Sequence, residues 1–128
     1  MAAGNELLEA LRSFAEIERR IVTLGERPNV DNAHANAMVS ARRELVMAFA
    51  KLGTELERDP NLTAHPDMMT EGTRLFSAFR AQNSINQADW PAIRVRDDPA
   101  QYRIASQSVV ERSRAFWQWA ERELGFRR

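Results

Sequence analysis

The chain has 128 residues, 44% of them apolar, which suits one domain with its own core and argues against disorder. Eighteen basic residues balance eighteen acidic ones, so no overall field draws the chain to nucleic acid or to an anionic membrane. With no cysteine, disulfides, thiolate metal sites and cysteine nucleophiles are excluded.

The stretch Met1–Glu6 lacks the basic and apolar regions of a signal peptide. No run approaches the ~18 apolar residues that a membrane span requires. A cytoplasmic protein is therefore expected. The first helix is predicted over about 5–24, where Leu7, Ala10, Phe14, Ile17, Ile21 and Leu24 recur at alternating 3,4 spacing. Leu8, Leu11, Ala15 and Val22 widen this stripe, so the helix is expected to meet more than one neighbour. Gly25 is read as the residue just past the helix, and Pro28 as the block to its continuation. Glu18 breaks the pattern by falling inside the apolar arc. Either its head bends out to water, or it is a buried carboxylate that needs a partner. Arg42, at the edge of the next stripe, is the nearest candidate.

The second helix is predicted over 31–58, with Asp31 or Asn32 as cap. His34, Met38, Ala41, Leu45, Ala48, Leu52 and Leu56 form its stripe, the strongest periodic signal in the chain. His34 occupies the first core position and is expected to bond a backbone carbonyl or to join a polar site. Val39, Val46 and Ala50 suggest a second contact face, and Met47 points away from the stripe, to solvent or to a partner interface. Asp59-Pro60-Asn61 ends the helix, and a polar, turn-rich connection runs to Pro66.

The third helix is predicted over 67–88. Its first half presents Met68, Leu75, Phe76 and Phe79, with Gly72 on the same face for close approach. The face then turns to Gln82, Asn83 and Asn86, and Ile85 lies to one side. Either the helix frays near Gln82, or it carries a polar half-core. Asp89–Asp98 reads as a packed loop in which Ile93 and Val95 face the protein and Arg94 and Arg96 face water.

The fourth helix is predicted over 98–124, from the Asp98-Pro99 start to the Gly125 terminator. Tyr102, Ala105, Val109, Phe116, Ala120 and Leu124 form its stripe, with Ser106 and Ser113 as small members and Trp117 and Trp119 on either side. Phe126-Arg127-Arg128 is a tail that docks or frays.

Four long helices with short or moderate links predict an all-α fold, an antiparallel up-down-up-down four-helix bundle in a single domain over 1–128. In that topology Glu18, His34, Gln82, Asn83, Asn86, Tyr102 and Ser106 all fall within about 10 Å of one end at 1.5 Å per residue. The loop bearing Trp90, Arg94 and Arg96 lies at the same end. These ten residues are the candidate ligand- or partner-binding set.

Catalytic chemistry finds little support. A di-iron bundle needs two Glu-x-x-His pairs and further carboxylates, whereas two histidines occur here. The five glycines are scattered, without a phosphate loop. Ser106, His34 and Glu18 are a conceivable triad with no supporting motif. Short arginine clusters are balanced by nearby acids. No cofactor, metal, nucleic acid or membrane is expected, and no enzyme activity.

The first functional expectation is a bundle that binds a partner helix or peptide, as an adaptor, export chaperone or regulator. In outline the chain resembles small bacterial export chaperones of the flagellar type, although no motif carries the likeness. A homodimer through Val39, Val46 and Met47 is a related possibility. The alternative is a small-molecule binder with a polar pocket at the end that carries the 25–31 and 88–98 loops.

Overall fold

A computed structural model of the chain describes residues 3–26 and 31–128. The helix break expected at Pro28 lies outside the described residues. Among those described, the fold is all-helical, without strands. The elements are α1 (Asn5–Glu26), α2 (Asn32–Arg58), α3 (Pro60–Thr63), α4 (Pro66–Asp89), α5 (Ala92–Asp97), α6 (Pro99–Ala105) and α7 (Gln107–Leu124). No helix among them is long and apolar enough to cross a membrane.

The stripes of α1, α2, α4 and α7 meet in an aromatic centre. Phe14 lies 4.7 Å from Phe49 and 5.7 Å from Phe79, centroid to centroid, with both pairs edge-on. Phe76 reaches Phe116 at 5.5 Å, and Phe116 reaches Trp117 at 5.2 Å. Edge-on and tilted pairs place the positive ring edge against a negative face, contributing about 0.5–1.5 kcal/mol each beyond area burial. Leu7, Leu11, Leu52, Leu56, Leu62 and Leu124 complete this larger cluster. Gly72 lets α4 approach α7, because a Cβ there would sit 2.2 Å from the Trp119 ring.

Polar contacts tie the helix ends. At the start of α1, the Gly4 N–H donates to Asp59 Oδ1 at 2.8 Å; near its end, the Leu24 carbonyl accepts from His34 Nε2 at 2.7 Å. Asn86 of α4 donates to Ser106 at 3.2 Å, while Arg122 of α7 pairs with Glu71 of α4 at 3.0 Å. After α7, Gly125 takes the left-handed conformation at φ 68°, which only a residue without Cβ adopts cheaply. This turn sends Phe126 back onto Trp117, with ring centroids 5.5 Å apart.

A second, smaller apolar cluster contains Leu24, Met38, Ala41, Trp90, Val95 and Tyr102. Arg42 enters it, donating from Nη1 to the Trp90 carbonyl at 2.6 Å with its guanidinium carbon 6.0 Å from the Tyr102 ring centroid. Its Nε and Nη2 find no hydrogen-bond partner among the described residues.

Several local expectations are corrected. The first helix runs on to Glu26, so Gly25 lies inside its last turn and not beyond it. A Cβ on Gly25 would stand 3.1 Å from Tyr102, so close packing is the reason for glycine there. The third helix does not fray at Gln82: α4 continues to Asp89, held by packing of its buried Asn83 and Asn86. The 59–66 connection contains a one-turn helix, because Asp59 caps it by accepting from the Leu62 N–H at 3.1 Å.

The 89–98 segment is not an extended packed loop. The Pro91 carbonyl accepts from the N–H groups of Arg94 and Val95, starting α5. A helical turn separates what an alternating strand would align. Val95 is therefore buried and Ile93 faces outward. The fourth predicted helix is interrupted at Ser106, where a turn separates α6 from α7. The Ser106 N–H still bonds the Tyr102 carbonyl and its own carbonyl accepts from Val110, so the break is local.

Candidate functional site: a cavity between α1, α4 and α6–α7

The last two turns of α1 and the α6–α7 segment stand apart over the flank of α4, leaving a cavity of about 570 Å³. Its inner wall comes from α4, whose Asn83, Asn86 and Gln87 replace the aliphatic residues that would have closed the gap. Phe79 and Leu45 also line it. Ile21 and Val22 contribute from α1, and Val109 and Val110 from α7. The two outer valines are about half exposed, so the cavity opens to solvent between them.

Glu18 is fixed at the side of this cavity. Its Oε1 accepts from Trp117 Nε1 and from Arg128 Nη1, both at 2.9 Å, and its Oε2 accepts from the Ser113 hydroxyl at 2.5 Å. Three donors, two of them on α7, explain why an acidic residue is tolerated inside an apolar arc. The expected pairing with Arg42 does not form. Arg42 is instead drawn to the carbonyl that α4 leaves free at its end, on Trp90. Arg128 also lies over the Trp117 ring at 5.4 Å, so the tail forms part of the cavity wall.

Asn86 and Asn83 behave differently. Asn86 donates to the Ser106 Oγ at 3.2 Å. Asn83 is 8% exposed, lines the cavity, and makes no side-chain hydrogen bond among the described residues. Its amide atoms are not sealed within the protein; they open onto the cavity, where water or a bound molecule supplies their hydrogen bonds.

Of the ten candidate residues, Glu18, Asn83, Asn86, Tyr102 and Ser106 line the cavity together. The other five do not. His34 is turned to the Leu24 carbonyl and ties α2 to α1. Gln82 is half-buried outside the cavity. Trp90 is packed in the smaller cluster, and Arg94 lies over its ring at 3.9 Å while donating to the Asp89 carbonyl at 2.6 Å. Arg96 pairs with Asp97 at 3.2 Å.

Ser113, Arg19, Arg103, Arg114 and Arg128 also line the cavity, outside the candidate set. Ser113 carried a signal, as a small polar residue within an apolar stripe. The four arginines carried none, since exposed arginines on a helix or tail ordinarily face water.

Ser106 is bonded to Asn86, Glu18 to Ser113 and His34 to Leu24, so these three do not assemble as a triad. Among the described residues, no group of three or more His, Cys, Asp or Glu is placed to hold a metal ion. Compared with known proteins, the chain matches no family model, no curated relative and no solved structure.

Proposed function

We propose that the chain is a binding protein for a small organic molecule, held in the cavity between α1, α4 and α6–α7. The observation that carries this reading is a cavity of about 570 Å³ whose α4 wall presents the amide of Asn83, which makes no side-chain hydrogen bond among the described residues and is open to the cavity. The volume falls in the range of about 300–1,000 Å³ that small ligands occupy. An apolar lining with a few converging polar groups is the usual composition of such sites. The reading includes the topology expected from the sequence, with α1, α2, α4 and α6–α7 as the four members of an antiparallel up-down-up-down bundle. The ties from Gly4 to Asp59, Leu24 to His34, Glu71 to Arg122 and Asn86 to Ser106 support that arrangement.

A thermal-shift screen of polar and amphipathic metabolites tests the proposal, run on the wild type and on Val22→Trp/Val110→Trp. The two valines are exposed at the mouth, so indoles there fill the opening without entering the core. Compounds that stabilise the wild type are expected to lose their effect on the variant. A screen without such compounds, or hits that act equally on both proteins, overturns the reading.

Binding of a partner helix or peptide is the second reading, supported by exposed Val39, Val46 and Met47 on α2, the last 71% exposed. These residues lie away from the cavity, so a pull-down with Val46→Glu/Met47→Glu tests this surface separately. Retention of a partner by that variant would remove it.

A further inference from the structure

The charges around the cavity narrow the ligand class, on the reading that the cavity is a binding site. Four arginines line it, Arg19, Arg103, Arg114 and Arg128, against two glutamates, Glu18 and Glu26. Arg128 and Glu18 pair with each other at 2.9 Å. Arg19, Arg103 and Arg114 then share the lining with one further acid, Glu26, and none of the three makes a side-chain hydrogen bond or ion pair among the described residues. In a chain with formal net charge zero, this local surplus of cations is a departure from the average. Elsewhere Arg20 is matched by Glu44, Arg122 by Glu71 and Arg127 by Glu121, while exposed Arg12, Arg43 and Arg74 make no ion pair among the described residues, so it is the convergence of three on one cavity that sets this group apart.

The three unpaired arginines are exposed, whereas Asn83 is buried in the α4 wall. Ile21, Val22, Val109 and Val110 separate these two kinds of polar group with aliphatic surface. We infer that the site takes an amphipathic organic anion: an acidic head at the arginine-bearing mouth, an apolar body along the valine and isoleucine walls, and a hydrogen-bonding group at the far end that pairs with Asn83. Guanidinium groups suit the head because they present forked donors to carboxylate, sulfonate or phosphate oxygens. Asn83 offers both a donor and an acceptor, so a hydroxyl or a carbonyl satisfies it.

Three fluorescent probes of one shape separate these contributions: 6-hydroxy-2-naphthoate, 2-naphthoate and 2-naphthol. Titration at low salt is expected to rank the hydroxy acid first. The acid head is expected to give about a tenfold advantage over 2-naphthol, the effect of one charge-assisted hydrogen bond at a partly exposed site. Arg103→Gln/Arg114→Gln removes that advantage while leaving 2-naphthol unchanged, and raised salt shrinks it. Both arginines are exposed, so the variant retains the fold. Asn83→Leu removes the preference for the hydroxy acid over 2-naphthoate.

Equal binding of 2-naphthol and the acids, or an acid preference that survives Arg103→Gln/Arg114→Gln, overturns the anion assignment and leaves the cavity reading intact. No preference for the hydroxy acid overturns the role of Asn83. Failure of all three probes overturns the ligand class. The thermal-shift comparison with Val22→Trp/Val110→Trp then decides the cavity reading by itself.

Discussion

At the scale of single residues, the polar side chains within apolar stripes divide by whether they have partners. Glu18 has three donors and is a structural strut between α1, α7 and the tail. Glu18→Ala strands the Trp117 indole N–H and the Ser113 hydroxyl, and is expected to lower stability by about 1–3 kcal/mol in urea unfolding. Asn83 has no such partner, so Asn83→Leu is expected to raise stability by about 1 kcal/mol in the same measurement. A fall on Asn83→Leu would mean that the hydrogen bonds of the amide to solvent outweigh that gain. Both residues broke the periodicity of their helices and were legible in the sequence as anomalies. Which of them was satisfied was not legible, because the partners of Glu18 lie about a hundred positions away on α7 and the tail.

At the scale of elements, capping and close approach explain the connections. Asp59 receives the N–H of Leu62 at 3.1 Å and that of Gly4 at 2.8 Å, so one carboxylate caps α3 and anchors the start of α1. Asp59→Ala is expected to cost about 1–2 kcal/mol by thermal unfolding, the upper part of the range for a lost cap. Gly72→Ala is expected to cost more, about 2–4 kcal/mol, because Trp119 has nowhere to retreat within a packed interface. The long helices were legible from stripes of three and four. The short ones, α3 and α5, were not. A single turn has too few residues to show a period, and each depends on one local hydrogen-bond arrangement around Asp59 or Pro91. Ser106 was legible as a small residue in a stripe, but nothing marked it as the point where α6 gives way to α7.

At the scale of the molecule, the two apolar clusters differ in size and in polar content. The larger gathers rings from α1, α2, α4 and α7; the smaller holds six buried residues and admits the guanidinium of Arg42 with two unpartnered N–H groups. Fewer apolar contacts and an imperfectly satisfied charge make the smaller cluster the less stable region. Native-state hydrogen exchange is expected to show α5 and α6 opening well below the free energy of global unfolding, with the amides around Phe49, Phe79 and Phe116 exchanging only near it. Uniform protection across both regions would contradict this division. The sequence carried the division in coarse form, as one apolar end and one end with amides, His34 and Tyr102. A polar pocket at that end was expected, but its place between α1 and α6–α7, with no lining residue from the 88–98 segment, was not legible, because it depends on how far α6–α7 stands from α1.

The three tryptophans sit in three different surroundings, which gives the protein an optical readout of its own. Trp119 is sealed, with an indole N–H that meets no acceptor among the described residues, so its emission belongs at the blue edge. Trp90 lies under Arg94 at 3.9 Å, a cation close enough to perturb its excited state. Trp117 donates to Glu18 at the side of the cavity and carries Arg128 over its ring. A molecule entering the cavity would meet Glu18 and Arg128, which both touch Trp117, and Tyr102, which packs 5.7 Å from Trp90, while Trp119 has no such link to the lining. Intrinsic fluorescence should therefore report occupancy without a label, and Trp117→Phe should diminish the change while the emission of Trp119 remains.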